Sequence, residues 1–435
     1  MNARLSVVAT ALALVVALPP AAGAAQILTS ANVTADADGD NEVDIAINPT
    51  NSQNLVAAWN DYGNGNSCGV GYSTNGGKTW KTDWLRGMTP AGGNDTFTYG
   101  AGDPSVGFLA DGTAVVSCAA WAFGSKSQPS AVFASRSTDG GRTWAPVQQL
   151  TYGQNLGHLQ DHNMLTIDRY SNRAVVAYTV WNGYAARSYA LVSYDATIWS
   201  GPYEIAADYK ANTVDTFDVS VAGAPDGTLY ATSGVWQHVN EWNEHAVVVS
   251  QMRPGETAFT HSVKARDLVP APKYLPNENW RTSMQASIGV EANGTVDLLT
   301  GDYVTGNLDM YLLRSFDHGA SFPQQTNLTR DRTDQVMPWV SVLPGGRIDT
   351  IFYDYDESTG LMSADYGQVA AGGTTMSRLV LQTGIDGDAQ PPRGPGGSPF
   401  WGDYIGIDST PALVALAWTC NGPRSQDICS ATVSP

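Results

Sequence analysis

The sequence predicts an all-β protein folded as a ring of seven four-stranded sheets, a β-propeller, with six blades as the alternative count. Three observations lead there. The chain holds 45 Gly, 13 Trp and 19 Tyr while only 15% of its residues are charged, the composition of many short strands joined by tight turns. A strand–turn–strand unit recurs along it, each second strand ending on an aromatic residue. An independent turn motif recurs later in each unit.

The aromatics that close the second strands are Trp59, Trp121, Trp181, Trp236, Tyr303, Tyr353 and Trp418, spaced 50 to 67 residues apart. The turns before them include Asp111-Gly112, Asp226-Gly227, Asn293-Gly294 and Gly345-Gly346, dipeptides whose backbone preferences suit hairpins. A four-stranded blade needs about 40 to 50 residues, so each interval holds one blade and its loops. The last unit, residues 402–433, shows three strands, and its outer strand is expected from residues 26–34 at the other end of the chain.

The second motif reads Ser73-x-Asn75-x-Gly77-x-Thr79-Trp80, Ser137-x-Asp139-x-Gly141-x-Thr143-Trp144 and Ser315-x-Asp317-x-Gly319-x-Ser321-Phe322, with eroded copies at Ser193-x-Asp195 and from Ser250. In such a turn the Asp or Asn side chain bonds backbone amides and the aromatic anchors the loop. It resembles the Asp box (BNR repeat) of bacterial sialidases and their relatives. The resemblance covers nearly all of the chain after its first residues, and implies a sialidase-like propeller of the glycoside hydrolase kind. The boxes imply fold and not catalysis, because in that family they lie away from the active face. The family grips its acidic sugar with three arginines, the first in a motif near the first inner strand. Here that strand reads Glu42-Val43-Asp44-Ile45-Ala46-Ile47, and only Arg281 and Arg332 lie close to the starts of inner strands. Tyr404 stands where a tyrosine nucleophile could act.

The N-terminal 24 residues read as an export signal: Arg4, an apolar run over residues 5–18 and the small residues Ala22-Gly23-Ala24. One propeller domain is expected over 26–435, secreted and monomeric, with no membrane insertion because no later apolar run approaches the length a membrane helix needs. A net charge of −18 without Lys or Arg clusters excludes a nucleic-acid partner. The four cysteines suit two disulfides outside the cytoplasm. Cys420 with Cys429 would staple one hairpin, and Cys68 with Cys118 would tie neighbouring repeats, although four cysteines allow three pairings.

In a propeller, the loops leading into the inner strands and those leaving the second strands share one face. The first set offers Glu42, Asp44, Asp103, Asp161, His162, Arg281, Asp403 and Tyr404 as candidate catalytic residues. The second set and its aromatics offer Trp59, Asp61, Trp181, Trp236, His238, Tyr303 and Asp354, with Arg332, as candidate contacts to substrate. Flat rings stack on sugars, and crowded carboxylates raise one another's pKa so that some serve as acids near neutrality. Three readings follow. The first is a hydrolase acting on an extracellular glycan. The second is a polysaccharide lyase in which His162 or His238 with Tyr404 moves the proton. The third is a non-catalytic scaffold, in which the aspartates would hold Ca²⁺. The plainer alternative, at each position, is an Asp that caps backbone amides and an aromatic that packs between blades.

Overall fold

The computed structural model describes residues 24–35, 37–63, 66–122, 128–155, 158–182, 185–209, 214–237, 244–389 and 399–435. The export-signal reading and His238 lie outside them. The protein is a seven-bladed β-propeller of four-stranded blades. Blade 1 runs from its inner to its outer strand as Asp40–Ile47, Leu55–Asp61, Ser67–Ser73 and Lys81–Trp84, each pair antiparallel. Blades 2, 3, 5 and 6 repeat this order, with inner strands Gly100–Phe108, Leu159–Asp168, Ser287–Val290 and Asp334–Val342. The inner strand of blade 4 is broken into Val214–Phe217 and Val221–Gly223, both paired with Leu229–Gln237. Blade 7 is made from both ends of the described chain: Gly406–Ser409, Val414–Asn421 and Gln426–Ser434, then Gln26–Asn32 against the last of these. Pro90–Gly92 forms a short 3-10 turn.

The core lies between blades, which explains why the second strands read as continuous apolar runs. Leu55, Ala57 and Trp59 of blade 1 pack with Ala415, Ala417 and Ile428 of blade 7. The alternate residues Val56 and Ala58 pack the other way, with Val106, Val116 and Phe133 of blade 2. Side chains that alternate across a strand therefore find a buried surface on both sides. Cys68–Cys118 links blades 1 and 2, and Cys420–Cys429 bridges adjacent strands of blade 7.

The Asp boxes form the turns between third and fourth strands. Ser137 Oγ accepts from Gly141 N–H at 2.9 Å, and Asp139 Oδ1 accepts from Thr143 N–H at 2.9 Å. The boxes at Ser73 and Ser315 repeat both bonds. In an antiparallel blade this turn is at the opposite end from the start of the inner strand, so the boxes stand away from the mouth where the candidate carboxylates gather.

Three of the seven repeating aromatics are blade-packing residues: Trp59, Tyr353 and Trp418 are at most 2% exposed. Trp59 lies flat over Gly69, where a Cβ would come within 2.3 Å of the indole nitrogen. The expectation that Trp59 touches substrate is therefore corrected: it fills the space between blades 7 and 1. Trp59→Ala should lower stability by about 3–5 kcal/mol, as the emptied site cannot collapse between two sheets; a denaturant midpoint unchanged within error would show that the ring carries no packing load.

Candidate functional site

One irregularity repeats around the ring. Glu42 and Val43 together oppose the single residue Trp59, because Asn41 pairs with Asn60 and Asp44 with Ala58. The same extra residue occurs at Asp103-Pro104, His162-Asn163 and Met337-Pro338. At each bulge the first residue takes a left-handed conformation, with φ of 52° at Glu42, 54° at Asp103, 51° at His162 and 53° at Met337. Asp218, in the break of the blade 4 inner strand, does the same at 55°. Such conformations cost non-glycine residues about 1–3 kcal/mol each and persist where packing enforces them. At Glu42, Asp103, His162 and Asp218 they re-aim side chains toward one mouth of the channel.

There they surround a cavity of about 330 Å³. Of the residues singled out from sequence, Glu42, Asp103, Asp161, His162, Arg281, Asp403, Trp181 and Trp236 line it together. Trp121 and Phe217 complete an aromatic wall, with the Phe217 ring 4.9 Å from Trp181 and 5.5 Å from Trp236.

The carboxylates are held by few donors. Asn60 Nδ2 donates to Glu42 Oε2 at 2.6 Å, and Asp403 N–H donates to Glu42 Oε1 at 3.1 Å. Asn60 Oδ1 accepts from Asp103 N–H at 2.8 Å, so one amide side chain clamps two bulges. Asp103 Oδ2 accepts from His162 N–H at 2.7 Å. Burial, then the charge of Asp403, pushes the Glu42 carboxyl up to about 7. Burial, Glu42 and Asp161 raise Asp103 well above the usual carboxylate range. Burial lowers His162, which favours the neutral ring. Arg281 donates from Nε to Asp403 Oδ1 at 2.8 Å, its terminal nitrogen bonds the second oxygen, and its guanidinium lies 4.5 Å from the Phe400 ring. That paired guanidinium belongs to the only arginine lining the cavity among the described residues.

The remaining candidates are placed elsewhere. Asp44, two residues beyond Glu42, faces away and accepts from Ile45 N–H, Val106 N–H and Ser105 Oγ. Tyr404 is 2% exposed and donates to Pro104 O at 2.9 Å, so its hydroxyl is a strut between blades and not a nucleophile at the cavity. Asp61 caps its own turn by accepting from Gly63 N–H. Tyr303 packs against the apolar core, Asp354 is tied to Gln335 and Arg378, and Arg332 is exposed outside the cavity. These residues follow the plainer reading of capping and packing. Phe217, Tyr62, Ser283 and Gln285 line the cavity without having been singled out. Phe217 carried a signal, standing beside Asp218 in the chain; Ser283 and Gln285 lie on a long approach to the blade 5 inner strand that has no repeat to place it.

No group of three or more His, Cys, Asp or Glu side chains has the arrangement to hold a metal ion among the described residues. Glu42 is held by Asn60 Nδ2 and Asp403 N–H, and Asp403 by Arg281, partners that do not suit the Ca²⁺ reading.

The BNR/Asp-box repeat family matches residues 72–82, the first box. The chain is a β-propeller that carries the BNR/Asp-box repeat. No curated protein matches its sequence. Among solved structures it is similar to an ulvan lyase of a new polysaccharide lyase family, at 10% identity over 93% of this chain and 96% of the other, with a TM-score of 0.55. An α-L-arabinanase from Penicillium chrysogenum, solved with arabinobiose, matches at 15% identity over 75% and 94%, with a TM-score of 0.52. A mutant α-L-arabinofuranosidase from Fusarium graminearum, bound to an iminosugar inhibitor, matches at 12% over 94% and 98%, with a TM-score of 0.50. At these identities the likeness is one of fold.

Glu42 sets a pH dependence of stability. Its folded pKa of about 7 lies above the ordinary 4.5, so the folded state binds that proton more tightly than the unfolded chain. The resulting stabilisation is present below about pH 4.5 and is lost as pH rises through 7. Glu42→Gln cannot ionise, so between pH 5 and pH 8 it should lose less stability than the unsubstituted protein, by roughly 1–3 kcal/mol. Urea unfolding at the two pH values measures this, and parallel losses in both proteins would refute it.

Proposed function

We propose that the protein is a secreted glycoside hydrolase acting on a neutral extracellular glycan at the acidic cavity. One observation carries the reading: a carboxyl held partly protonated at neutral pH, Glu42, shares an aromatic-walled cavity with a second, half-buried carboxyl, Asp161. Glycoside hydrolysis needs such a pair, an acid to protonate the leaving oxygen and a carboxylate to attack or to activate water. In this reading Glu42, backed by Asp103, is the acid, and Asp161 is the nucleophile or base. Trp181, Phe217 and Trp236 supply flat surface for a sugar ring. The guanidinium of Arg281 is already paired with Asp403, which argues for a neutral sugar over a uronate or sialate. Arabinose-type and ulvan-type glycans handled by propellers of like fold support a carbohydrate substrate, and the two disulfides suit a protein that works outside the cytoplasm.

A polysaccharide lyase is the second reading, favoured by His162 at the cavity, but the buried Tyr404 hydroxyl removes its proposed proton donor. The two are separated by incubating the protein with arabinan and with ulvan while following reducing ends and ultraviolet absorbance together. The expected result is reducing ends from the neutral polymer without an unsaturated, absorbing product. Glu42→Gln and Asp161→Asn should each lower kcat about 10²–10⁴-fold, with Trp181→Ala acting mainly on KM. An absorbing product would select elimination, and binding without any turnover would leave a scaffold.

A further inference from the structure

Behind the imidazole of His162 sits a carboxyl pair that the hydrolytic reading does not use. His162 Nε2 is 3.5 Å from Asp218 Oδ1, and both side chains are 5% exposed. The approach is built by the backbone, since both residues occupy the left-handed region on neighbouring blades and are turned toward one another. Asp218 in turn faces Glu244, itself 2% exposed. Neither oxygen of Glu244 has an N–H or O–H donor among the described residues. Its seat is cut into the second strand of blade 4 by Gly234, where a Cβ would stand 2.3 Å from Glu244 Cγ.

Two buried carboxyls that face each other, one of them without a donor among the described residues, cannot both ionise. A single proton held between them would satisfy both. We propose that Asp218 and Glu244 share one proton and act as positioning residues for His162, offering its Nε2 a carboxyl in place of a full carboxylate charge and so keeping the imidazole neutral at the cavity. A neutral ring can take a proton from a bound hydroxyl or water; an imidazolium cannot. The assignment rests on the hydrolytic reading only in giving that proton a substrate to come from. Burial and Glu244 together raise Asp218 well above the usual range, in line with a retained proton. The other charges facing His162 are Asp403, Asp161 and Arg281, and the first and last of these also act on Asp218. Because Arg281 and Asp403 are bonded to each other, they oppose one another at both sites. Tyr404 contributes only a ring edge, 6.0 Å from the imidazole.

The test needs no glycan. The full chain, labelled with ¹⁵N at its six histidines, is titrated by NMR, and His162 is assigned from the signal lost in His162→Asn. Glu244→Gln frees Asp218 to ionise beside the imidazole, and should raise the His162 pKa by about one unit or more. Asp218→Asn removes the nearer carboxyl and should move it down. Opposite shifts are the signature of a shared proton. A folded Glu244→Gln protein in which His162 titrates as before, or shifts of the same sign in both variants, would overturn the proposal. If Glu244→Gln does not fold, the unsubstituted protein still decides: its His162 ring should be neutral at pH 6.5, and imidazolium shifts there would count against it. Absence of glycan turnover would sink the hydrolytic reading and leave this result standing.

Discussion

The site depends on a single backbone device, one extra residue in the inner strand. Period-two alternation would put Glu42 and Asp44 on the same side of their strand. The bulge at Glu42-Val43 breaks that alternation, and the two carboxyls part: Glu42 turns to the cavity and Asp44 to the amides of blade 2. Repeated at Asp103, His162 and Asp218, the same device delivers side chains from four consecutive blades into one mouth. Each bulge is strained, and the packing of blade against blade holds it. Asn60 illustrates the coupling, since its amide bonds the Glu42 carboxyl and the Asp103 backbone at once.

Concentrating carboxyls this way has an electrostatic consequence. Burial disfavours the charged form, and each neighbour of like sign disfavours it further. Only Arg281 supplies a cation at the cavity among the described residues, and it faces Asp403 in a bidentate pair. Burial and neighbouring carboxyls raise Glu42, Asp103 and Asp218 above the usual carboxylate range. A site assembled from acids in this manner holds exchangeable protons near neutrality without any base being strong, which is the property acid catalysis of glycoside cleavage requires.

Much of the architecture was legible because it is periodic. Hairpin dipeptides, strand-end aromatics and Asp boxes each recur, and together they favour seven sheets over six, while the pairing of the cysteines stayed a preference among three. The start of the inner strand was also legible as a place, so Glu42, Asp103, Asp161, His162, Arg281 and Asp403 stand together as their positions suggest. Direction was not legible. Nothing in the residue types says that Asp44 points away from Glu42, because a one-residue bulge leaves no compositional mark. Nor does a terminal aromatic declare whether it faces the mouth, as Trp181 and Trp236 do, or the neighbouring blade, as Trp59, Tyr353 and Trp418 do. Glu244 is the extreme case: it lies outside every repeat, and its side chain packs on Gly234, ten residues earlier on the preceding strand.

The two mouths of the channel serve different ends, and the sequence of the inner strands shows why. Past the bulges, these strands continue with Ile47, Phe108, Ile167, Val290 and Val342 around a second cavity of about 470 Å³. The inner turn of blade 3 reaches across that end: Arg169 bonds Ser341 at 2.8 Å and Asp408 at 3.2 Å, and Tyr170 donates to Val290 O at 2.9 Å. Blades 5, 6 and 7 are thus tied to a blade that is not their neighbour. Stacked repeats otherwise touch only adjacent units, so stiffness across the ring has to come from such crossings. With the ring braced at this mouth, the opposite one is free to carry strained bulges and mutually repelling carboxyls. Asp44 falls on the braced side, where three donors from blades 1 and 2 hold it. One residue of bulge therefore divides, within a single strand, an acid that faces the cavity from an acid that holds blades together.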